Sequence, residues 1–329
     1  MRQLWIIMAL VLFAATPGQA QGCKPLTLLT RVHFQRDRSG RRILVRVKID
    51  GKSRLMMLDT GDWFSMLSPA AVRALNLPSR ATDWREYGIT GHYGQYGVRA
   101  QRFAIGHLHW HRVDFFEMHR SKNVGGQFGS KKRPIGLIGA NILKNFDIDI
   151  DYGSDTLSIL SPDHCPGHVI YWKANAIAAV PMSLNDSWQI ALPVRLDGYS
   201  LNAIIDTGSA NSTLNLSTAE SDFDVHPGSP NTPKVGYVQE TDGDTYFTHR
   251  FHSIAFSGIE VRDPKLLLMY YEMEKDLDSG PALGSLFSHQ NRRDRAPLLI
   301  GGDILQHFHI YIAYHEHMLY ITPAGTPKH

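Results

Sequence analysis

The chain is poor in cysteine, with 2 among 329 residues, Cys23 and Cys165. A disulfide-dense scaffold is thereby excluded, and a single bridge is the most the sequence allows. In an oxidising compartment that bridge would tie the amino-terminal end to the turn-rich Pro162-Asp163-His164-Cys165-Pro166-Gly167; otherwise both thiols stay free. Long apolar runs are missing as well. The one stretch of note, Leu4 to Ala15, falls short of the roughly 20 residues that span a bilayer, so no stable membrane span is expected. Charge of one sign is scarce: Lys and Arg exceed Asp and Glu by only 3. The cluster Lys131-Lys132-Arg133 reads as a solvated loop, and nucleic-acid binding is not expected. Neither a Ser-His-Asp arrangement nor a Gly-rich phosphate loop is found.

What is present begins with an address. Arg2, the apolar stretch and the small residues of Gly18-Gln19-Ala20 read as a cleavable export signal over residues 1–20. A lipid anchor on Cys23 is the alternative, disfavoured by the polar Thr16 to Gln19 and Gln21-Gly22. With 43% hydrophobic and 20% charged residues the remainder can bury a large core, and its length suggests two domains. Histidines number 17. His107, His109 and His111 share one face of a strand, but no Cys joins them and no carboxylate stands at ligand spacing, so no metal is expected there or at His307, His309, His315 and His317. The sequons at Asn185, Asn211 and Asn215 are read as chance. The arginine-rich stretch Arg31 to Arg42 is a candidate basic prosegment.

Strand signals dominate, and they repeat. Ile43 to Ile49 alternates, Asp50-Gly51 turns, and Leu55 to Leu58 runs into Asp59-Thr60-Gly61. A helix is predicted over Pro69 to Leu75, with Ser68 as its N-cap and proline at the first helical position. Past a connector without periodicity, Ala191 to Leu196 is again a strand, Asp197-Gly198 a turn, and Leu201 to Ile205 leads into Asp206-Thr207-Gly208. The parallel extends to Pro134-Ile135-Gly136-Leu137-Ile138-Gly139 and Pro297-Leu298-Leu299-Ile300-Gly301. Each is followed by a phenylalanine, Phe146 or Phe308, and a strand ending in Tyr152 or Tyr314. One Asp-Thr-Gly reads as a β-turn with glycine at positive φ. Two copies in matching context do not.

This organisation resembles the pepsin and retropepsin families of aspartic peptidases, above all bacterial exported proteins that carry two retropepsin-like lobes in one chain. The resemblance covers nearly all of the mature sequence. It implies a mainly β fold: two pseudo-symmetric β-barrel lobes, residues 24–165 and 181–323, joined by a connector over 166–180. It makes Asp59 and Asp206 the catalytic pair. Thr60 and Thr207 would bond across the lobe junction, and Gly61 and Gly208 would let backbone approach substrate where a side chain would collide. The chemistry needs little else. Two carboxyls about 3 Å apart cannot both ionise, so they share one proton, one serving as base toward water and the other as acid toward the peptide carbonyl. Which lobe plays which part is not assigned by the sequence.

The position after each tripeptide departs from symmetry. The family usually has Ser, Thr or Ala there, whose hydroxyl can donate to the catalytic carboxylate; Ser209 fits and Asp62 does not. Asp62 is expected to point outward or to be protonated, since an inward charge would raise the proton affinity of the pair. The glycine-dense segment Gly88 to Gly97 resembles the family's flap, with Tyr93 and Tyr96 as candidate substrate contacts, and Gly236 to Tyr246, with Tyr237, is its counterpart. Substrate would bind as an extended strand. No cofactor is expected. Two lobes in one chain make a dimer unnecessary, so a monomer is expected, in the periplasm or secreted. The rival reading keeps the fold without turnover, as a peptide-binding or scaffold module, and Asp62 is the residue that favours it.

Overall fold

Each half is built from a hairpin whose residues dictate both its turn and its inward face. In the computed structural model, which describes residues 23–87, 93–118, 128–129, 133–174, 176–185, 187–235, 245–270 and 296–325, the strand Ile43–Ile49 buries Ile43, Val45, Val47 and Ile49. It pairs antiparallel with Lys52–Leu58. Asp50 and Gly51 both take positive φ, 46° and 82°, as a two-residue hairpin turn that follows the strand twist requires. The second half repeats this: Ile190–Leu196 pairs with Tyr199–Ile205, and Asp197 and Gly198 have φ of 47° and 87°.

The first strand pair of each half then takes a parallel neighbour from far along the chain. Leu58 pairs beside Ile138 in the strand Gly136–Ile138, and Ile205 beside Ile300 in Leu298–Ile300. Gly136–Ile138 is buried throughout, and Leu298–Ile300 buries Leu298 and Ile300 with Leu299 half-buried. Around them, among the described residues, the first half forms an 8-stranded sheet and the second a 10-stranded one. The predicted helix is present as Pro69–Leu75: the Ser68 side chain accepts from the Ala71 N–H at 3.2 Å, and Asn76 closes the helix in the left-handed conformation. A helix at Leu216–Phe223, capped by Asn215, was not anticipated. It buries only Ala219, so its apolar pattern is too thin to read.

A third sheet belongs to both halves. Its 6 strands run in the order Leu28–His33, Thr156–Leu160, Asp147–Asp151, Phe308–Ala313, Met318–Pro323, Ala178–Pro181. At its centre Asp147–Asp151 lies antiparallel to Phe308–Ala313, with Asp149 opposite Tyr311, so the pseudo-twofold axis passes through this pair. The expected connector 166–180 therefore ends inside a strand of the shared sheet. Arg31 to Arg42 is also integral to the fold rather than a removable segment: Arg31 lies in the first of these strands, and Gln35–Arg36 pairs with Ile43–Ile49. Cys23 and Cys165 form a disulfide across a sequence separation of 142.

The outer face of the shared sheet carries buried acid–histidine pairs. Asp147 bonds His164 at 2.5 Å and accepts from the Tyr311 hydroxyl at 2.8 Å. Asp149 bonds His309 at 2.5 Å and accepts from the Tyr171 hydroxyl, and His309 stacks on Trp172 with ring centroids 3.9 Å apart. His309 is thus a structural residue joining a strand of one half to a strand of the other. One hydrophobic core continues through both halves and the sheet between them.

Candidate active site

The two Asp-Thr-Gly segments leave their strands at equivalent points and meet at the junction. The backbone N–H of Asp59 donates to Ile138 O, and that of Asp206 to Ile300 O, each at 3.0 Å. Each loop is then locked to the other by its threonine. Thr60 Oγ1 donates to Ile205 O at 2.8 Å and accepts from the Thr207 N–H at 3.1 Å. Thr207 Oγ1 donates to Leu58 O at 2.8 Å and accepts from the Thr60 N–H at 3.1 Å. Both threonines are fully buried. Both hydroxyls donate and accept, and both threonine N–H groups are paired, which is what allows hydroxyls to sit in so dry a place.

The carboxyl groups are oriented from below by their own loops. Asp59 Oδ1 accepts from the N–H groups of Gly61 and Asp62 at 3.0 and 3.1 Å. Asp206 Oδ1 accepts from Gly208 and Ser209 at 2.8 and 3.1 Å. The glycines are there for the aspartates: a Cβ on Gly61 would lie 2.4 Å from Asp206 Cγ, and one on Gly208 would lie 2.2 Å from Asp59 Cγ. Approach to substrate was the expected reason for glycine at these positions; the atoms a side chain would strike belong to the opposite catalytic candidate. The sequence therefore brings the two carboxyls together by removing whatever would stand between them.

Electrostatics follow from that crowding. Burial first, then the charges of Asp206 and Asp62, push the Asp59 carboxyl well above the ordinary carboxylate range. Asp206 is also raised by burial, against the loop N–H groups, a hydrogen bond from Asp59 and the charge of Arg42, which favour its ionised form. The pair therefore holds a proton where an isolated aspartate would have lost it.

Several supporting groups were not legible from the motif. Ser65 and Ser212 stand equally far past Asp59 and Asp206. Ser65 Oγ donates to Asn141 Oδ1 at 2.7 Å and accepts from the Gly139 N–H at 3.0 Å. Ser212 Oγ donates to Asp303 Oδ1 at 2.6 Å and accepts from the Gly301 N–H at 2.9 Å. Gly139 and Gly301 cannot carry a Cβ, which would fall 2.7 Å from Phe64 C and 2.6 Å from Asn211 O. The lobes also reach across. Gln189 Nε2 donates to Gly61 O and Arg41 Nη1 to Asn211 Oδ1, each at 2.5 Å. Setting the halves in register on their aspartates would have revealed the two serines, since each has the same residue type at the same offset.

One reading needs correction. The Ser209 hydroxyl donates to Asn211 O at 2.9 Å, not to the Asp206 carboxylate, which it serves through its backbone N–H. Asp62 is half-buried, and its charge is among the causes that raise Asp59, the effect expected of a charge turned toward the pair. Tyr96 lies on the strand Tyr93–Ile105, paired with Ala81 and Glu117, and is 49% exposed. Residues 88–92, the Tyr93 side chain and Tyr237 lie outside the described residues. No set of three or more His, Cys, Asp or Glu among the described residues is arranged to hold a metal ion.

Comparison with known proteins follows the same lines. Residues 45–142 match the aspartyl protease family. Among solved structures, Basic 7S globulin from soybean superposes with a TM-score of 0.47 at 10% identity, over 91% of this chain and 95% of that one. None of the curated proteins matches the chain in sequence.

Proposed function

We propose that the chain, whose residues 45–142 match the aspartyl protease family in the segment that carries Asp59 and the Gly139 turn, is an endopeptidase of exported proteins. Its two halves supply one carboxyl each. A water held between Asp59 and Asp206 gives a proton to whichever is ionised as its oxygen bonds to the carbonyl carbon of an extended peptide. The protonated partner passes its proton to the carbonyl oxygen. The carboxyl that took the water's proton gives it to the amide nitrogen, the carbon–nitrogen bond breaks, and a hydroxyl of the tetrahedral species returns a proton to the other carboxyl, leaving an amine, a carboxylic acid and the dyad as it began. No cofactor enters this scheme, and the chain acts as a monomer.

The observation that carries the reading is the reciprocal contact in which each loop's glycine makes room for the other loop's aspartate. A scaffold protein that only bound peptides would have no need of two buried carboxyls sharing a proton, a costly arrangement unless it is used. Export is supported by the disulfide and by the amino-terminal sequence. Among the described residues no helix is long and apolar enough to cross a membrane.

The test is incubation of the mature chain with a denatured protein mixture between pH 3 and 7, with and without a statine-type mimic of the tetrahedral species. Fragments that appear in acid and vanish with the mimic are the expected result. A folded chain that leaves every substrate intact throughout that range would transfer the assignment to the peptide-binding module.

A further inference from the structure

Two breaks in the pseudo-twofold symmetry set charges facing the aspartates. After Gly61 the first loop carries Asp62, where the second carries the neutral Ser209. The other break lies just before the hairpin of each half. Gln189 immediately precedes the strand Ile190–Leu196, and Arg42 immediately precedes the equivalent strand Ile43–Ile49. Each stands the same number of residues ahead of its own aspartate. Gln189 reaches across the junction and donates to Gly61 O, on the Asp59 loop. Arg42 occupies the matching place facing the Asp206 loop, so a neutral amide serves one aspartate where a guanidinium serves the other.

The position of Arg42 is fixed rather than fluctuating. Its neighbour Arg41 donates to Asn211 Oδ1 at 2.5 Å, and Arg41 O packs so closely on the turn after Ile300 that a Cβ on Gly302 would lie 2.3 Å from it. Arg42 itself is 15% exposed and bonds Asp37 Oδ2 through Nε at 2.8 Å. Asp37 in turn accepts from the N–H groups of Arg41 and Arg42, which closes the loop on itself. The charged and titratable groups acting on the pair include Asp62 beside Asp59 and Arg42, with its partner Asp37, beside Asp206; the Tyr152 hydroxyl in turn feels Asp206 and Arg36.

We propose that Asp62 and Arg42 are positioning residues that break the symmetry of the dyad: the negative charge after Gly61 keeps the shared proton on Asp59, and the guanidinium facing the second loop keeps Asp206 ionised. In the reaction proposed above, on which this rests, Asp206 is then the base that takes the proton from water, and Asp59 is the acid that protonates the carbonyl oxygen. The proposal requires the hydrogen bond between the carboxyls to run from Asp59 to Asp206. Burial raises both carboxyls; beyond it the charge of Asp62 raises Asp59 further, whereas that of Arg42 acts to lower Asp206.

The experiment follows the carboxyl groups themselves, so it does not depend on finding a substrate. The mature chain is labelled with ¹³C at aspartate carboxyl carbons and titrated by NMR, with Asp59 and Asp206 assigned from the signals lost in Asp59→Asn and Asp206→Asn. Asp59 is expected to hold its proton to higher pH than Asp206. Asp62→Asn lowers the Asp59 midpoint by on the order of one pH unit. Arg42→Gln, which copies Gln189, raises the Asp206 midpoint, and Arg42→Lys leaves it near the native value. Should Arg42→Gln fail to fold because Asp37 is orphaned, Asp62→Asn decides alone. The reverse order of titration, or an Asp59 midpoint unmoved in Asp62→Asn, would overturn the proposal. Native titration in the predicted order from a chain that cleaves nothing would leave this inference standing and remove only the peptidase reading.

Discussion

A single methyl group is enough to test why the carboxyls meet. Gly208→Ala would place its Cβ 2.2 Å from Asp59 Cγ, so the carboxyl must swing away while the rest of the loop keeps its bonds. Because a displacement of about 1 Å at reacting groups costs on the order of 100-fold in rate, kcat/KM should fall by at least that much. Overpacking at one site costs stability by about 1–3 kcal/mol, so a chain of this size should remain folded, as circular dichroism would show. The threonines make a different case, because there the loss is of bonds, not of space. Thr207→Val strands Leu58 O and the Thr60 N–H in a dry environment, a cost of about 2–4 kcal/mol for two unsatisfied groups. Thr207→Ser keeps the hydroxyl and should cost less than about 1 kcal/mol, both read from urea unfolding.

Among the elements, the short turns after Gly139 and Gly301 decide how firmly the loops are held. They show that a carboxylate and an amide can do the same work: Asn141 Oδ1 accepts from Ser65 N and Oγ, and Asp303 Oδ1 from Ser212 N and Oγ. Asp303→Asn should therefore be tolerated within about 1 kcal/mol, whereas Asp303→Ala should cost about 2 kcal/mol or more by leaving buried donors unpaired. Much at this level was legible in the sequence. The hairpins announce themselves through Asp-Gly turns between apolar strands, and Ser68-Pro69 marks its helix, because local chemistry alone specifies these features. The sheet shared between the halves was not legible. The strands ending in Tyr152 and Tyr314 could be read individually, but their pairing joins residues more than 150 positions apart, such as Asp149 and Tyr311, and a chain's periodicity carries no information about such partners. The room that Gly61 and Gly208 leave for the opposite aspartate was not legible for a related reason: what a missing Cβ makes room for depends on the other half of the molecule. Arg42 gave no signal, since an arginine ahead of a strand is unremarkable until the structure sets it opposite Gln189.

For the whole molecule the buried acids set a direction with pH. Asp59, Asp206 and Asp147 are all held above the ordinary aspartate value, each chiefly by burial, and His164 is raised by its bonds to Cys165 O and Asp147 although burial opposes this. A group whose folded-state value exceeds its unfolded one binds more protons when folded. Its contribution is complete below the unfolded value, about 4 for aspartate and about 6.5 for histidine, and is lost as pH rises through the folded value. Asp37 runs the other way: despite its burial, bonds from Ser39 and Arg42 hold it low, so its contribution is present above about pH 4 and lost in acid. His249, lowered by burial, likewise loses its contribution as pH falls below about 6.5, so four groups against two predict a urea midpoint that declines from about pH 4 toward pH 8. Asp59→Asn, which removes one of two repelling charges, should decline less and be the more stable chain at pH 8; a native midpoint that rises over this range would contradict the assignment. The Asp147–His164 pair places this acid preference in the structure joining the halves, so the lobes should stay together where the dyad is protonated once.

The central claim is that two aspartates, one from each half, act as a unit on water and a peptide bond. It is tested most directly by comparing the cleavage rate of the native chain on a denatured protein with those of Asp59→Asn and Asp206→Asn, each first shown to be folded, at the pH of greatest native activity. Since an acid or base positioned in the transition state contributes about 100-fold or more, both variants should fall at least that far, and by similar amounts. A variant that keeps the native rate with either carboxyl gone would show that the pair is not the machinery.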